Sequence, residues 1–99
     1  MPVIEIDASR IHDWESFHDV SAEALGFPPY YGRNLDAWID CVDSLAREDG
    51  AVLTLLISHG AAFRACCPEQ YAALIECSAF VNWRRAVADE PSVVALAFE

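Results

Sequence analysis

Asp36, Asp40 and Asp43 are separated by four and three residues, a spacing that places three carboxylates on one face of a helix. Such a row can collect a divalent cation, although ligands on a single helix lack the encircling loop oxygens that calcium prefers. It can instead form a docking ridge for the arginine and lysine side chains of another protein. Like charges at this spacing destabilise a helix by about 0.2–0.5 kcal/mol per pair. The dipole at the helix start offsets this for Asp36 and does little for Asp40 and Asp43. Within the segment only Arg47, four residues beyond Asp43, is a local counter-charge. Immediately upstream, Pro28-Pro29 stiffens a loop that presents Tyr30 and Tyr31 beside the helix start, and tyrosine supplies rigid contact area at interfaces. A solvated acidic face is the plainer reading of the same three aspartates.

Other reactive residues form no comparable pattern. Cys66 and Cys67 are adjacent, which suits neither a Cys-x-x-Cys redox pair nor a zinc knuckle. With Cys41 and Cys77 they read as reduced thiols packed as small apolar side chains. His59 near Cys66 and Cys67 invites a Cys–His nucleophile, but no third orienting residue accompanies it. His18, between Glu15 and Asp19, reads as a helix-surface residue. Glycines occur only at 26, 32, 50 and 60, so no phosphate-cradling loop exists. Trp83-Arg84-Arg85 is the one basic cluster and reads as two arginines beside a tryptophan that stack or pair with local acids. No catalytic residue, metal-ligand set or cofactor site is expected.

The elements that must position the aspartates follow from periodicity. Val3 to Asp7 is β-branched and reads as a strand. Asp13 caps a helix from Trp14 to about Leu25, with Trp14, Phe17, Val20, Ala24 and Leu25 on its apolar face, and Gly26 ends it. Asn34 caps a second helix to about Arg47, whose buried stripe is Leu35, Trp38, Ile39, Val42 and Leu45. After the Asp49-Gly50 turn, Ala51 to Ser58 is apolar on both faces, as a covered central strand requires. Gly60 to Cys66 forms a short helix, and Pro68 opens a longer one to about Asp89. That last helix has an irregular stripe, Tyr71, Leu74 and Ile75 in one register and Phe80, Trp83 and Val87 in another, which leaves room for a break. Ser92 to Phe98 is a final strand. The order β-α-α-β-α-α-β favours an α/β fold with a three-stranded parallel sheet packed by helices, in a single domain over residues 1–99.

Composition narrows the function. The chain has 99 residues, 55% of them hydrophobic, and a net charge of −10 from 16 acidic residues against six arginines and no lysine. That apolar content is too high for intrinsic disorder. The charge argues against binding nucleic acid, which needs a basic face, and against anionic membrane surfaces; a basic protein partner fits. No apolar run approaches the roughly 18 residues of a membrane span. The start lacks the features of a signal peptide, so a cytoplasmic location is expected.

At this point the residues resemble a known family. Pro28-Pro29-Tyr30-Tyr31-Gly32-Arg33-Asn34-Leu35-Asp36-Ala37-Trp38-Ile39-Asp40-Cys41 is similar to the signature loop and helix of the barstar family, inhibitors of the ribonuclease barnase. The first 42 residues align without a gap, the last helix and strand follow the family pattern, and the match is loose between about Ala46 and Cys77. The resemblance implies a three-stranded parallel sheet and a non-enzymatic inhibitor, an immunity protein or antitoxin. Such a protein binds a basic ribonuclease or related toxin and plugs its active site with the second helix and the loop before it. Residue by residue, it implies Asp40 as the central acidic anchor and Asp36, Asn34 and Tyr30 as further contacts. Gly32 and Ile39 lie in the same stretch, and Asp43 extends the ridge. The free protein is expected to be monomeric. The chain departs from the family pattern at Ile39, where a tryptophan is usual, and at Ser44-Leu45, where Gly-Trp is usual. It departs again at Arg85, a base aligned with an acid at the edge of the site. These departures imply a partner other than barnase itself. Two further readings remain: a regulatory module whose partner is not a nuclease, and a metal-assisted hydrolase using the aspartates.

Overall fold

The computed structural model describes residues 3–50 and 52–99. Strand β1 (Val3–Asp7) runs into a single 3₁₀ turn (Ala8–Arg10) and then helix α1 (Trp14–Leu25). Helix α2 (Leu35–Asp49) and strand β2 (Leu53–Ser58) follow. Helix α3 (Gly60–Cys66), helix α4 (Pro68–Val87) and strand β3 (Val94–Phe98) complete the chain. The three strands form one parallel sheet in the order β1-β2-β3, the expected fold. Ala51, expected to begin β2, lies outside the described residues.

The caps are those the sequence announces. Asp13 accepts from the Ser16 amide at 2.8 Å, while the Ser16 hydroxyl accepts from the Asp13 amide at 3.0 Å, closing a reciprocal box at the start of α1. Asn34 accepts from the Ala37 amide at 2.8 Å at the start of α2. That helix runs two residues beyond the expected Arg47 before Gly50, at φ 71°, turns it off. Helix α4 ends at Val87 rather than near Asp89, and β3 begins at Val94 rather than Ser92.

Leu53, Leu55 and Ile57 of the central strand are buried with Ile6 of β1, Phe17 and Leu25 of α1, and Trp38 and Val42 of α2. Trp14, expected on the buried stripe of α1, is instead exposed at its rim. Helix α4 is unbroken over 20 residues, which resolves the two apparent registers. Its buried row is Gln70, Ala73, Leu74, Cys77, Ser78, Val81 and Arg85, a regular helical spacing built largely from small and polar residues. Ile75, Phe80, Trp83 and Val87 are exposed. From α4, Asn82 reaches the start of β3. Its Oδ1 accepts from the amides of Val93 and Val94 at 3.0 and 3.1 Å, and its Nδ2 donates to the Val94 carbonyl at 2.9 Å.

Candidate protein-docking surface

The loop before α2 is fixed at both ends. Gly26 closes α1 in the left-handed region at φ 65°, which a side chain would strain. The Tyr31 amide then donates to the Pro28 carbonyl at 2.9 Å. The two tyrosines diverge. Tyr31 turns inward, its ring 4.7 Å from that of Phe27, and its hydroxyl hydrogen-bonds His18 Nδ1. Burial pushes the Tyr31 hydroxyl well above the ordinary tyrosine range. Tyr30 turns outward and is 86% exposed.

His18 is not the surface residue its neighbours in sequence suggest. It is buried, and its pKa lies below the ordinary histidine value, first because burial disfavours the charged ring and second because Arg33 is near. Its partner comes from a loop 13 residues away, which helix periodicity does not show.

Arg33 holds the other end of the loop. Its backbone is left-handed at φ 54°, a conformation that is strained for a non-glycine residue. Its side chain compensates with an ion pair to Asp19 at 2.9 Å and a bond to the Glu15 carbonyl at 3.1 Å. Gly32 lies tight against the cap: a Cβ there would stand 3.2 Å from Asn34 Nδ2 and 3.4 Å from Ala37 Cβ. Asn34 is exposed and its Oδ1 is already used as the helix cap.

The three aspartates do not share one environment. Asp36 and Asp40 are exposed. Asp40 stands beside a groove of about 450 Å³ whose walls include Phe27, Pro28, Tyr30, Cys41, Leu45 and Glu48. Its Oδ1 also accepts from Arg84 Nη1 of α4 at 3.2 Å, with side-chain exposures of 71% for Asp40 and 42% for Arg84. Asp43 points to the seam between α2 and α4, where its side chain is 13% exposed and that of Arg85 only 7%. Arg85 Nε donates to Asp43 at 3.0 Å, Arg47 Nε donates to it at 3.3 Å, and Arg85 Nη1 also donates to Glu90 at 3.5 Å. Burial pushes the Asp43 carboxyl up, but the hydrogen bonds and charges of Arg85 and Arg47 outweigh this and hold it below the usual carboxylate value. Arg85, read from the alignment as an edge of the site, is therefore part of an internal ion pair. Ile39 is buried in the core cluster.

Tyr30 and Asp40 thus line one exposed flank, with Asp36 one turn before Asp40 on the same helix; Gly32 and Asn34 are exposed just before that helix, whereas Ile39 is buried and Asp43 half-buried. The sequence reading missed two positioning residues, Arg33 and Tyr31, and the contact from Arg84. The positive φ of Arg33 leaves no compositional mark, and Arg84 meets Asp40 across 44 residues.

The remaining reactive side chains are scattered. All four cysteines are free; Cys67 and Cys77 are buried as expected, whereas Cys41 is half-buried and Cys66 exposed. His59 Nδ1 lies 3.4 Å from Asp7. Among the described residues no group of three or more potential metal ligands is found, and no helix is long and apolar enough to cross a membrane. What the exposed flank offers chemically is two carboxylates and a phenol on a rigid frame, suited to guanidinium and ammonium groups.

A family model described as Barstar (barnase inhibitor) matches residues 1–98. A Bacillus subtilis (strain 168) protein described as "Putative ribonuclease inhibitor YrdF" is 48% identical over 42 residues, 42% of this chain and 46% of that protein. The chain thus spans about half the length of this relative. The family match runs through the first strand, the tyrosine loop, the aspartate helix and both later strands, and the chain belongs to the barstar family.

Proposed function

We propose that this protein is a non-catalytic inhibitor that binds a basic ribonuclease or related toxin and covers its active site with the 30–34 loop and the first turns of α2. The observation that carries this reading is that Tyr30, on a loop tied down by Arg33 and Tyr31, and Asp40, on α2, are both exposed beside one groove. Asp40 is the anchor and Asp36 extends it. Tyr30 supplies rigid apolar area, and Asn34 and Gly32 set the helix start. Asp43 supports the ridge from beneath by fastening α2 to α4, and Ile39 seats it in the core. The carboxylates stand where RNA phosphates would meet the enzyme's cationic side chains, and the net charge of −10 accelerates approach to a basic partner. Four free thiols suit the reducing cytoplasm.

Capture from the source cell, with Asp40→Ala as the negative control, tests this. The captured protein is expected to cleave RNA and to be inhibited at one-to-one ratio by the wild type. By calorimetry Asp40→Ala is expected to weaken that complex by about 2–5 kcal/mol while leaving the thermal midpoint nearly unchanged. Wild-type affinity in Asp40→Ala overturns the ridge. A partner that binds through Asp40 without cleaving RNA makes the protein a regulatory module instead.

A further inference from the structure

Asp40 is engaged before any partner arrives. Arg84 donates to it through one nitrogen at 3.2 Å, whereas an arginine–carboxylate pair reaches full strength through two parallel bonds. The contact is open to water on both sides. The guanidinium of Arg84 also lies 5.9 Å from the centre of the Phe80 ring. Phe80 packs against Trp83 with ring centres 5.5 Å apart, and the two rings are 44% and 58% exposed. Arg84 therefore bonds the carboxylate and lies over the Phe80 ring at the same time. The aromatic contact is already in place when the carboxylate is taken from it, and a guanidinium, weakly hydrated, stacks well on such a face. The neighbouring Arg85 has no such freedom, since it is buried between Asp43 and Glu90.

We propose that Arg84 determines the specificity of this surface. It is an internal stand-in for the partner's cation, which an incoming arginine or lysine must displace from Asp40, and once displaced it withdraws onto Phe80 and Trp83. The proposal rests on Asp40 being the anchor of the docking flank. A cation that makes a single bond to Asp40 gains nothing over Arg84, whereas a guanidinium able to grip the carboxylate with two bonds does. In so acidic a protein this filters stray basic chains from a partner whose cation is correctly aimed.

The test is an NMR titration of the full chain with hexa-arginine, following the Asp40 carboxyl carbon, the Arg84 Nε–H group and the Trp83 indole. The wild type is compared with Arg84→Gln and with Arg10→Gln, which removes the same charge from a residue paired instead with Glu23 at 2.8 Å. Half-saturation at Asp40 is expected to fall about two- to five-fold in Arg84→Gln, the range for releasing an exposed ion pair. In Arg10→Gln it is expected to change less than half as much, the remainder being screened long-range charge. In the wild type the Arg84 and Trp83 signals are expected to move in step with Asp40. Equal shifts in the two variants, or an Arg84 signal that stays still while Asp40 saturates, overturn the stand-in role and leave the docking flank intact. If Asp40 stays still in every variant while other carboxylates saturate, the anchor itself is lost and the proposal falls with it.

Discussion

Asp40 and Asp43 leave the same helix three residues apart, and each meets an arginine of α4. The outer pair is open to water and held by one bond. The inner pair lies in the seam between helices, with Arg47 and Glu90 completing a network. Breaking an exposed pair costs little, because water replaces the lost partner. Breaking a desolvated pair leaves a charge stranded. One aspartate is therefore available to another molecule and the next is committed to its own fold. Net charge and helical spacing treat them alike; burial separates them.

The largest effect that can break this contrast is Asp43→Ala, expected to lower stability by about 3 kcal/mol in urea unfolding. Adding Arg85→Leu should recover part of that loss, since the stranded cation is removed with its partner. If Asp43→Ala is no more costly than Asp40→Ala, the inner pair is not distinct from the outer one.

Acid should expose the same difference. The Asp43 carboxyl lies below its ordinary value in the folded protein, so the unfolded chain takes up the proton first. Its contribution is present above the unfolded pKa of about 3.9 and is lost as pH falls through the folded value. The histidine–tyrosine pair is expected to respond in a different window. His18 is also shifted down, so its contribution is complete above about pH 6.5 and declines as pH falls toward the folded value. Urea midpoints measured from pH 8 to pH 3 should show both phases. Asp43→Asn should diminish only the more acidic one, to which Asp7, Asp13 and Glu23, also held below their ordinary values by hydrogen bonds, contribute as well; a profile unchanged by it would dissolve the assignment.

Tyr31→Phe, which removes the hydroxyl partner of the buried His18 ring, is expected to cost about 1–2 kcal/mol of stability by thermal unfolding. A neutral result would mean that Phe27 packing alone holds the loop. The smallest effect is that of Asp40→Asn on the free protein, expected at under about 1 kcal/mol and vanishing at high salt. A larger, salt-resistant loss would place Asp40 with Asp43 after all.

Much of the fold was legible because it is written in caps and apolar runs. Asp13, Asn34, Gly26 and Gly50 mark helix ends through their own backbone chemistry. The run from Leu53 to Ile57 marks a covered strand. Helix α4 was harder to read because hydropathy points to the wrong face. Its buried row includes Ser78, Gln70 and Arg85, whereas Phe80, Trp83 and Val87 stand in water. The exposed flank was visible as a motif, but its division was not. Whether an aspartate is free or paired depends on arginines 42 to 44 residues away, a relation that local spacing does not encode.

The amide of Asn82 bears on how this protein keeps company with itself. A three-stranded sheet has two open margins, and a bare margin is a template for pairing with another chain. The Val93 carbonyl is turned toward β2, accepting from the Leu53 amide at 2.7 Å, so the polar groups of Val94 face the opposite way. Asn82 takes both of them, donor and acceptor, as a neighbouring strand would. A stray strand arriving at the start of β3 finds its first rung already occupied, and only a few residues of a short strand remain beyond it.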